Sequence, residues 1–529
     1  MPSGKKFDFS NSQACLRVLE RMQVQATAHA RDSMAQLLRG MQHTPPPPLE
    51  YLAVLERMRV PLAIVLREMA EPLTRQPIPP GQPGDETLRF CVTLWLTMAK
   101  AYARVAELGS NLPAVQRELP LICQRCVHYA GRAITTYYGV HREVPRGLWL
   151  ELHGYYATAE EWQLARVPVH EPLCAGTATQ SSEEAYIAIL LVELANPYSR
   201  NLRELDLTLR WAQRFAPYAD LQAPDSAPDL RSYAVDLVRD SGPLPLQAIA
   251  AGSQVRCLLS GRLAAEIEHC VAKLRGGTAP SALGLGENCA ARPAARLLVQ
   301  LYRPWCQAAT PRRFPRHKGQ GEITLFRGFE IIHDMVSGKK FRQPELIHLF
   351  YRPEFEAIVT FGERVESNLV WKAREADMPA SGEPWHVADQ SATGFRVARP
   401  AIQDCLACGE LVGCIVPDSP YCLLARVTWS KYESSGRFSA GLEVFAGAPK
   451  AVALRAYGPD VPQTEAFERA FLLPALPALK IEARLVLPRG WFESGRMVQI
   501  YDDKLMVLRL HHADQQGVNY DRVGFHRVD

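Results

Sequence analysis

Two clusters in the C-terminal half have the residue types to hold an anion. The first is Arg312, Arg313, Phe314, Pro315 and Arg316, followed by His317 and Lys318. Proline is disfavoured inside a helix, so this run sits on extended or turning backbone that can wrap a ligand. Each guanidinium is a planar fork of donors that pairs bidentately with phosphate. The same fork can bond the O6 and N7 edge of guanine or stack on its face. The second cluster is Asp389-Gln390-Ser391-Ala392-Thr393-Gly394, ahead of the alternating run FRVARP. Asp389 and Ser391 supply short acceptors and a donor, while Gly394 permits backbone closed to other residues and lets a ligand approach the main chain. Taken singly, the basic run reads equally as a solvated loop, and the turn as an ordinary Asx or Ser turn.

The elements that must position these clusters are strands. Beyond about residue 310 the segments GEITLF, TGFRVARP, LVGCIV, YCLLARVTWSKY, RFSAGLEVFAG, AVALRAYG, IEARLVLP and RMVQIYDDKLMVLRL are short and rich in β-branched or aromatic residues. Gly, Pro, Asp or Ser separates them, the texture of a β-domain. Asp502 and Asp503 between VQIY and KLMVL mark a tight hairpin. From about Phe329 to His386 the rhythm breaks, and FEIIHDM and PELIHLF have a helical look. From about Ala451 to Asp529 there are strands enough for a second small β-unit or an elaborated barrel. Arg489, Trp491 and Phe492 in that stretch suit a partner surface or the ordinary aromatic filling of a sheet.

The pair of clusters resembles the PilZ domain family, whose signature is an RxxxR stretch at the domain's N-terminal edge and a D/N-x-S-x-x-G turn on the barrel. Arg312 and Arg316 match the first; Asp389, Ser391 and Gly394 match the second. Downstream, a GE-containing strand (Gly409, Glu410), LLARVTW ending at Trp429, and AGLEVF with Gly441 and Phe445 follow the family's order. The resemblance implies a cyclic di-GMP receptor. Arg312 and Arg316, with Arg313 beside them, would grip guanine and phosphate, Asp389 and Ser391 would bond the ligand, and Gly394 would allow the turn. No metal and no bond-breaking belong to such a site. The long span between Arg316 and Asp389 departs from the family's short connection and is expected as an insertion, which costs little because loop-closure entropy grows slowly with length.

The N-terminal region carries the helical period. From Asn11 to about Arg39, Cys15, Leu19, Met22 and Ala26 recur at spacings of four and three behind a cap at Ser10 or Asn11, and Leu52 to Met69 resumes the pattern after Pro45 to Pro48. Ser181 with Glu184, and Asn201 with Glu204, offer capping boxes for two further helices joined by a turn at Asn196, Pro197 and Tyr198. The fold expected is multidomain α+β: an all-helical region over 1–305, in one or two bundles, then a PilZ-like antiparallel β-barrel over 306–450. The barrel carries a partly helical insertion at about 329–386, and a further β-rich unit covers 451–529.

Net charge of +4 over 529 residues demands no nucleic-acid polymer. The most apolar run, AYIAILLVELA, is too short to cross a bilayer. The N-terminus lacks the apolar segment of a secretory signal, so a cytoplasmic location is expected. No P-loop, HExxH or GxSxG arrangement suggests an enzyme. Of two CxxC pairs, Cys123 with Cys126 and Cys405 with Cys408, neither has the four converging donors of a zinc site, so packed thiols are expected. The rival to a receptor coupling cyclic di-GMP to an unknown protein partner through its helices is a non-enzymatic scaffold whose barrel binds no nucleotide. Convergence of Arg312 and Arg316 on Asp389 and Ser391 separates the two.

Overall fold

In the computed structural model, residues 7–22, 27–75, 82–174, 178–224, 232–307, 316–319, 321–344, 382–400, 406–417, 421–458 and 466–528 are described. The chain divides into two compact units near residue 312.

Local sequence sets the helix boundaries of the first unit. Asn11 caps α1 (Ser12–Glu20) by accepting the amide of Ala14 at 3.1 Å. The period expected to run on to Arg39 is divided between α1 and α2 (Thr27–His43), and Ala26 lies outside the described residues. Then come α3 (Pro48–Arg75), α4 (Gln82–Leu108), α5 (Pro113–Gly139) and α6 (Leu148–Glu161). A two-stranded ribbon, β1 (Val169–His170) with β2 (Thr179–Gln180), leads into α7 (Ser182–Leu194). The Ser181 capping box is complete: Glu184 N donates to Ser181 Oγ at 3.1 Å, and Ser181 N donates to Glu184 Oε2 at 2.7 Å. At α8 (Leu202–Phe215) Asn201 accepts from Glu204 N at 2.9 Å.

Helix α5 explains how these helices pack. Ile122, Cys126, Tyr129 and Ala133 on one face join the core of α1–α4, while Cys123, Val127, Ala130, Ile134 and Tyr138 join the core that α6–α8 share with residues 219–305. A helix apolar on both faces has to be a shared wall. Each fully buried aliphatic side chain contributes about 1.5–3 kcal/mol to holding it there. The same geometry settles the first CxxC pair: its thiols point into different cores, and burial pushes Cys123 up to about 11 and Cys126 well above the ordinary thiol value.

The region expected to be all-helical also holds a small sheet. Strands β3 (Asp220–Gln222), β4 (Tyr233–Asp236), β5 (Leu244–Pro245) and β6 (Val255–Leu259) pair in the order β3-β6-β4-β5, ahead of α9 (Gly261–Arg275) and α10 (Ala291–Cys306). With two to five residues each, these strands are too short to show alternation.

In the second unit, β7 (His317–Lys318), β8 (Glu322–Arg327), α11 (Phe329–Ser337), β9 (Glu383–Ser391), β10 (Gly394–Pro400), β11 (Leu411–Ile415), β12 (Leu423–Tyr432) and β13 (Arg437–Val444) form the first barrel. Six strands close in the order β8-β9-β10-β13-β12-β11, with β7 paired alongside β9. Trp385, Val387, Val397, Phe438, Ala440 and Val427 fill the interior. The insertion is shorter at its end than the expected 329–386, because β9 starts at Glu383. FEIIHDM is helical as α11, while nearly all of PELIHLF lies outside the described residues. Gly409 and Glu410, expected in a strand, stand in the turn before β11, where Glu410 takes the Arg327 fork at 2.9 and 3.3 Å.

The residues after 450 close a second six-stranded barrel, with β14 (Lys450–Ala456), β15 (Glu468–Leu473), β16 (Arg484–Pro488), β17 (Met497–Asp502), β18 (Lys504–Gln516) and β19 (Tyr520–Arg527) in the order β14-β15-β16-β19-β18-β17. The Asp502–Asp503 hairpin forms as expected: Asp502 pairs with Lys504 across Asp503, which has a left-handed φ of 57°. The two barrels share a core in which Phe326, Ile332, Leu411, Leu424 and Phe445 meet Phe471, Leu473, Val486 and Tyr520. Helix α11 seals it. His333 Nε2 bonds Val452 O at 3.2 Å, and the Gln343 amide brackets the backbone of Phe467 at 2.9 and 2.7 Å.

A buried ion network ties α3 and α5 to the β1–β2 ribbon. Glu171, fully buried, accepts from Arg59 Nη2 at 2.7 and 2.6 Å, from Arg125 Nη1 at 2.7 Å and from Gln124 Nε2 at 3.2 Å. Burial alone would raise its carboxyl; the field of the surrounding cations, Arg59 and Arg125 among them, outweighs this and holds it down to about 2. Glu171→Ala removes the fully buried carboxylate that Arg59 and Arg125 share and leaves them with Glu56, 3.6 Å from Arg59 and 2.8 Å from Arg125, and urea unfolding should show a loss of about 3–5 kcal/mol. Because the folded value is depressed, Glu171's contribution is complete above an ordinary value of about 4.5 and fades as pH falls towards about 2. Glu171→Gln should lack that acid limb in pH-dependent melting.

Candidate functional site

Arg316 and Asp389 lie 73 residues apart in sequence and meet because β7 runs antiparallel to the end of β9. Lys318 stands opposite Asp389 and His317 opposite Gln390, which delivers the preceding Arg316 to the carboxylate. Its Nη1 donates to Asp389 Oδ1 at 2.6 Å.

A bulge decides which way Asp389 faces. Along β9, Trp385 and Val387 point into the barrel, and strict alternation would send Asp389 inward with them. The register shifts between β9 and β10 instead: Val387 pairs with Val397, but Asp389 pairs with Arg396. The extra residue, Ala388, turns Asp389 to the outer face. Two rows then cross the outside of β9, β10 and β13. One runs Asp389, Arg396, Gly441, and the other Ser391, Gly394, Glu443. Arg426 of β12 extends the second row through Glu443 at 3.0 Å, and the indole of Trp429 lies over Gly441, where a Cβ would fall 2.1 Å from its Nε1.

The six residues singled out from the sequence fare differently. Arg316 and Asp389 are brought into contact. Arg312 and Arg313 lie outside the described residues. Ser391 serves its own turn, its hydroxyl donating to Gly394 O and accepting from Thr393 N, both at 3.4 Å. Gly394 is needed for a different reason from the one expected. Its φ is not positive; a Cβ there would sit 2.0 Å from the carbonyl oxygen of Leu442 on β13. The glycine admits a neighbouring strand. Arg396, absent from the sequence-based set, faces Asp389 with Nη1 3.9 Å from Oδ2. Its signal was available in the alternation of GFRVARP, but its partner depends on the bulge.

Arg316 and Asp389 keep 31% and 23% of their side-chain surface exposed, so the pair is worth only about 0.2–1 kcal/mol to folding. Among the described residues, no group of three or more His, Cys, Asp or Glu could hold a metal ion, and no helix is long and apolar enough to cross a membrane.

The fold thus defines a multidomain α+β protein in which a helical region precedes tandem six-stranded barrels. Its relationships are specific: residues 13–227 match the family described as the N-terminal domain of the cyclic-di-GMP receptor FimW, and residues 452–528 match the FimW C-terminal beta-barrel domain. The chain is therefore related at both ends to that receptor family. It is 26% identical over 398 residues to the cyclic-di-GMP receptor FimW of Pseudomonas aeruginosa, an alignment covering 68% of this chain. It spans 64% of that relative's length, just under two thirds. The first barrel, with the Arg316–Asp389 face, falls between the two family matches.

Gly394→Ala should strain the β10–β13 pairing. Overpacking of this kind costs about 1–3 kcal/mol, and thermal unfolding followed by near-UV circular dichroism should register it. Unchanged melting would contradict the close approach.

Proposed function

We propose that this protein is a cyclic di-GMP receptor of PilZ-like design, with its ligand on the outer face of the first barrel. Arg312, Arg313 and Arg316 supply forked cations for phosphate and guanine; Asp389 and Ser391 supply acceptors and a donor; Gly394 lets the β9–β10 turn close against β13. The observation that carries this reading is the contact of Arg316 with Asp389, which joins two distant motifs in one site. Charge agrees, since a ligand with two phosphates and two guanines calls for arginine forks and a few aimed polar groups. The kinship at both ends with a family named for cyclic di-GMP reception supports the ligand's identity. The protein works as a cytoplasmic receptor without bond-breaking chemistry, and the helical region passes the signal to a protein partner. Neither a nucleic-acid polymer nor membrane insertion enters the scheme.

Isothermal titration of purified protein with cyclic di-GMP should give saturable heat. Arg316→Ala and Asp389→Ala should each weaken binding about tenfold or more, because one bidentate arginine–guanine contact is worth about 1–3 kcal/mol. Both variants should melt close to wild type, since the pair contributes little to stability. Absence of saturable heat from wild-type protein at high ligand concentration would favour a scaffold whose barrel is purely structural.

A further inference from the structure

We infer that the second barrel completes the ligand site: Arg522, on β19, takes a phosphate of the nucleotide that lies on the first barrel. This rests on the proposed receptor site and extends it to a residue of the other barrel, outside both sequence motifs.

The second row on the outer face of the first barrel does not end in solvent. Past Ser391, Gly394 and Glu443 it reaches Arg426, whose register partner on β11 is Leu411, a member of the core that the two barrels share. Arg426 therefore stands at the rim where the open face passes beneath the second barrel. The second barrel comes to this rim from its own side. Its outward row crosses β15, β16 and β19 as Phe471, Val486 and Arg522; the first two lie in the shared core, and Arg522 keeps 23% of its side chain exposed. Tyr520, two residues before Arg522 and on the same face of β19, joins the two rows. Its hydroxyl accepts from Arg426, donates to Gln515 Oε1 at 3.2 Å and lies within the fields of Arg522 and Glu443.

Packing, more than pairing, orients Arg522. Its guanidinium lies 4.9 Å from the centre of the Phe445 ring, which belongs to the first barrel. A ring face steadies a guanidinium but takes none of the donors in its plane. Asp514 is engaged elsewhere: it accepts from Arg484 Nε at 2.5 Å and contacts His512 Nε2 at 2.7 Å, whereas Arg522 Nε stays 3.9 Å away. That Nε has no hydrogen-bond partner among the described residues. Arg426, by contrast, is answered by Glu443 at 3.0 Å. A planar fork held on an aromatic face, at the edge of the site, suits bidentate recognition of a phosphate.

The shape of the ligand links this rim to the sequence motifs. A cyclic dinucleotide carries its two phosphates on opposite sides of one ring. Three strand spacings, about 14 Å, separate β9 from β12, and long arginine side chains reach inward from both ends. With one phosphate at Arg316 beside β9, the other is directed across β10 and β13 towards Arg522. The competing role for Arg522 is that of a clamp on Phe445 that only holds the barrels together. A clamp would show in the melting of ligand-free protein and would leave the salt dependence of binding unchanged.

The test is a calorimetric titration of the full chain with cyclic di-GMP at two ionic strengths, with ligand-free thermal melts alongside. The proteins are wild type, Arg522→Ala, Arg522→Gln, Arg522→Lys and, as a control for general charge, Arg509→Ala, an exposed arginine farther along β18. Arg522→Ala should weaken binding about tenfold and flatten its salt dependence. Arg522→Gln, which keeps much of the side chain's length, should do the same and stands in for the alanine variant if that one melts early. Arg522→Lys should recover part of the loss, since lysine keeps the charge without the fork. Arg509→Ala should bind as wild type does. Wild-type affinity and salt dependence in folded Arg522→Ala or Arg522→Gln, or an equal loss in Arg509→Ala, would overturn the role of the second barrel while leaving the receptor reading intact. Wild-type protein that takes up no ligand would overturn both.

Discussion

The first barrel depends on the pairing of one strand, β9. Its first half pairs with β8 and its second half with β10, which closes the ring, and Asp389 and Gln390 also take β7 along the opposite edge. Without that pairing there is no contact between Arg316 and Asp389, because 73 residues of chain separate them. The energy holding the two together is therefore strand pairing and barrel packing, with Trp385 and Val387 fully committed to the interior. The ion pair itself is marginal for stability. Charged groups that a fold positions yet hardly uses are free to meet a ligand.

The insertion between β8 and β9 takes on a clearer role in this light. Its first turns, α11, do not hang from the barrel as an ornament. Ile332 enters the core shared with the second barrel, and His333 bonds the backbone of β14, its burial lowering the imidazole below its ordinary value. Gln343 pins the strand entering β15 by donating one hydrogen bond to the Phe467 carbonyl and accepting one from its amide. The two barrels are thus coupled through the segment that leads directly out of β8.

Much of this was legible in the residues, and what was not had physical reasons. Ser181, Asn201 and Asn11 announce their helices because capping is local. The Asp503 hairpin is equally local. Strands β9, β15 and β19 were harder. The first opens on Glu383 and Pro384 and carries His386, Asp389 and Gln390; ERAFLL suits a helix as well as a strand; Gly524 interrupts the third. At the site, residue types revealed Arg316 and Asp389, but register is a long-range property. Nothing local says that Ala388 bulges, that Arg396 then faces Asp389, or that Gly394 makes room for the Leu442 carbonyl.

The location of the ligand on the first barrel is tested most directly by amide hydrogen exchange of wild-type protein with and without cyclic di-GMP. Slowed exchange is expected at residues 316–319, 389–396 and 441–443, the segments that make up the outer face around Arg316, Asp389 and Arg396. Slowing confined to residues 452–528 of the second barrel, or to the helices between 13 and 227, with those segments unchanged, would contradict it.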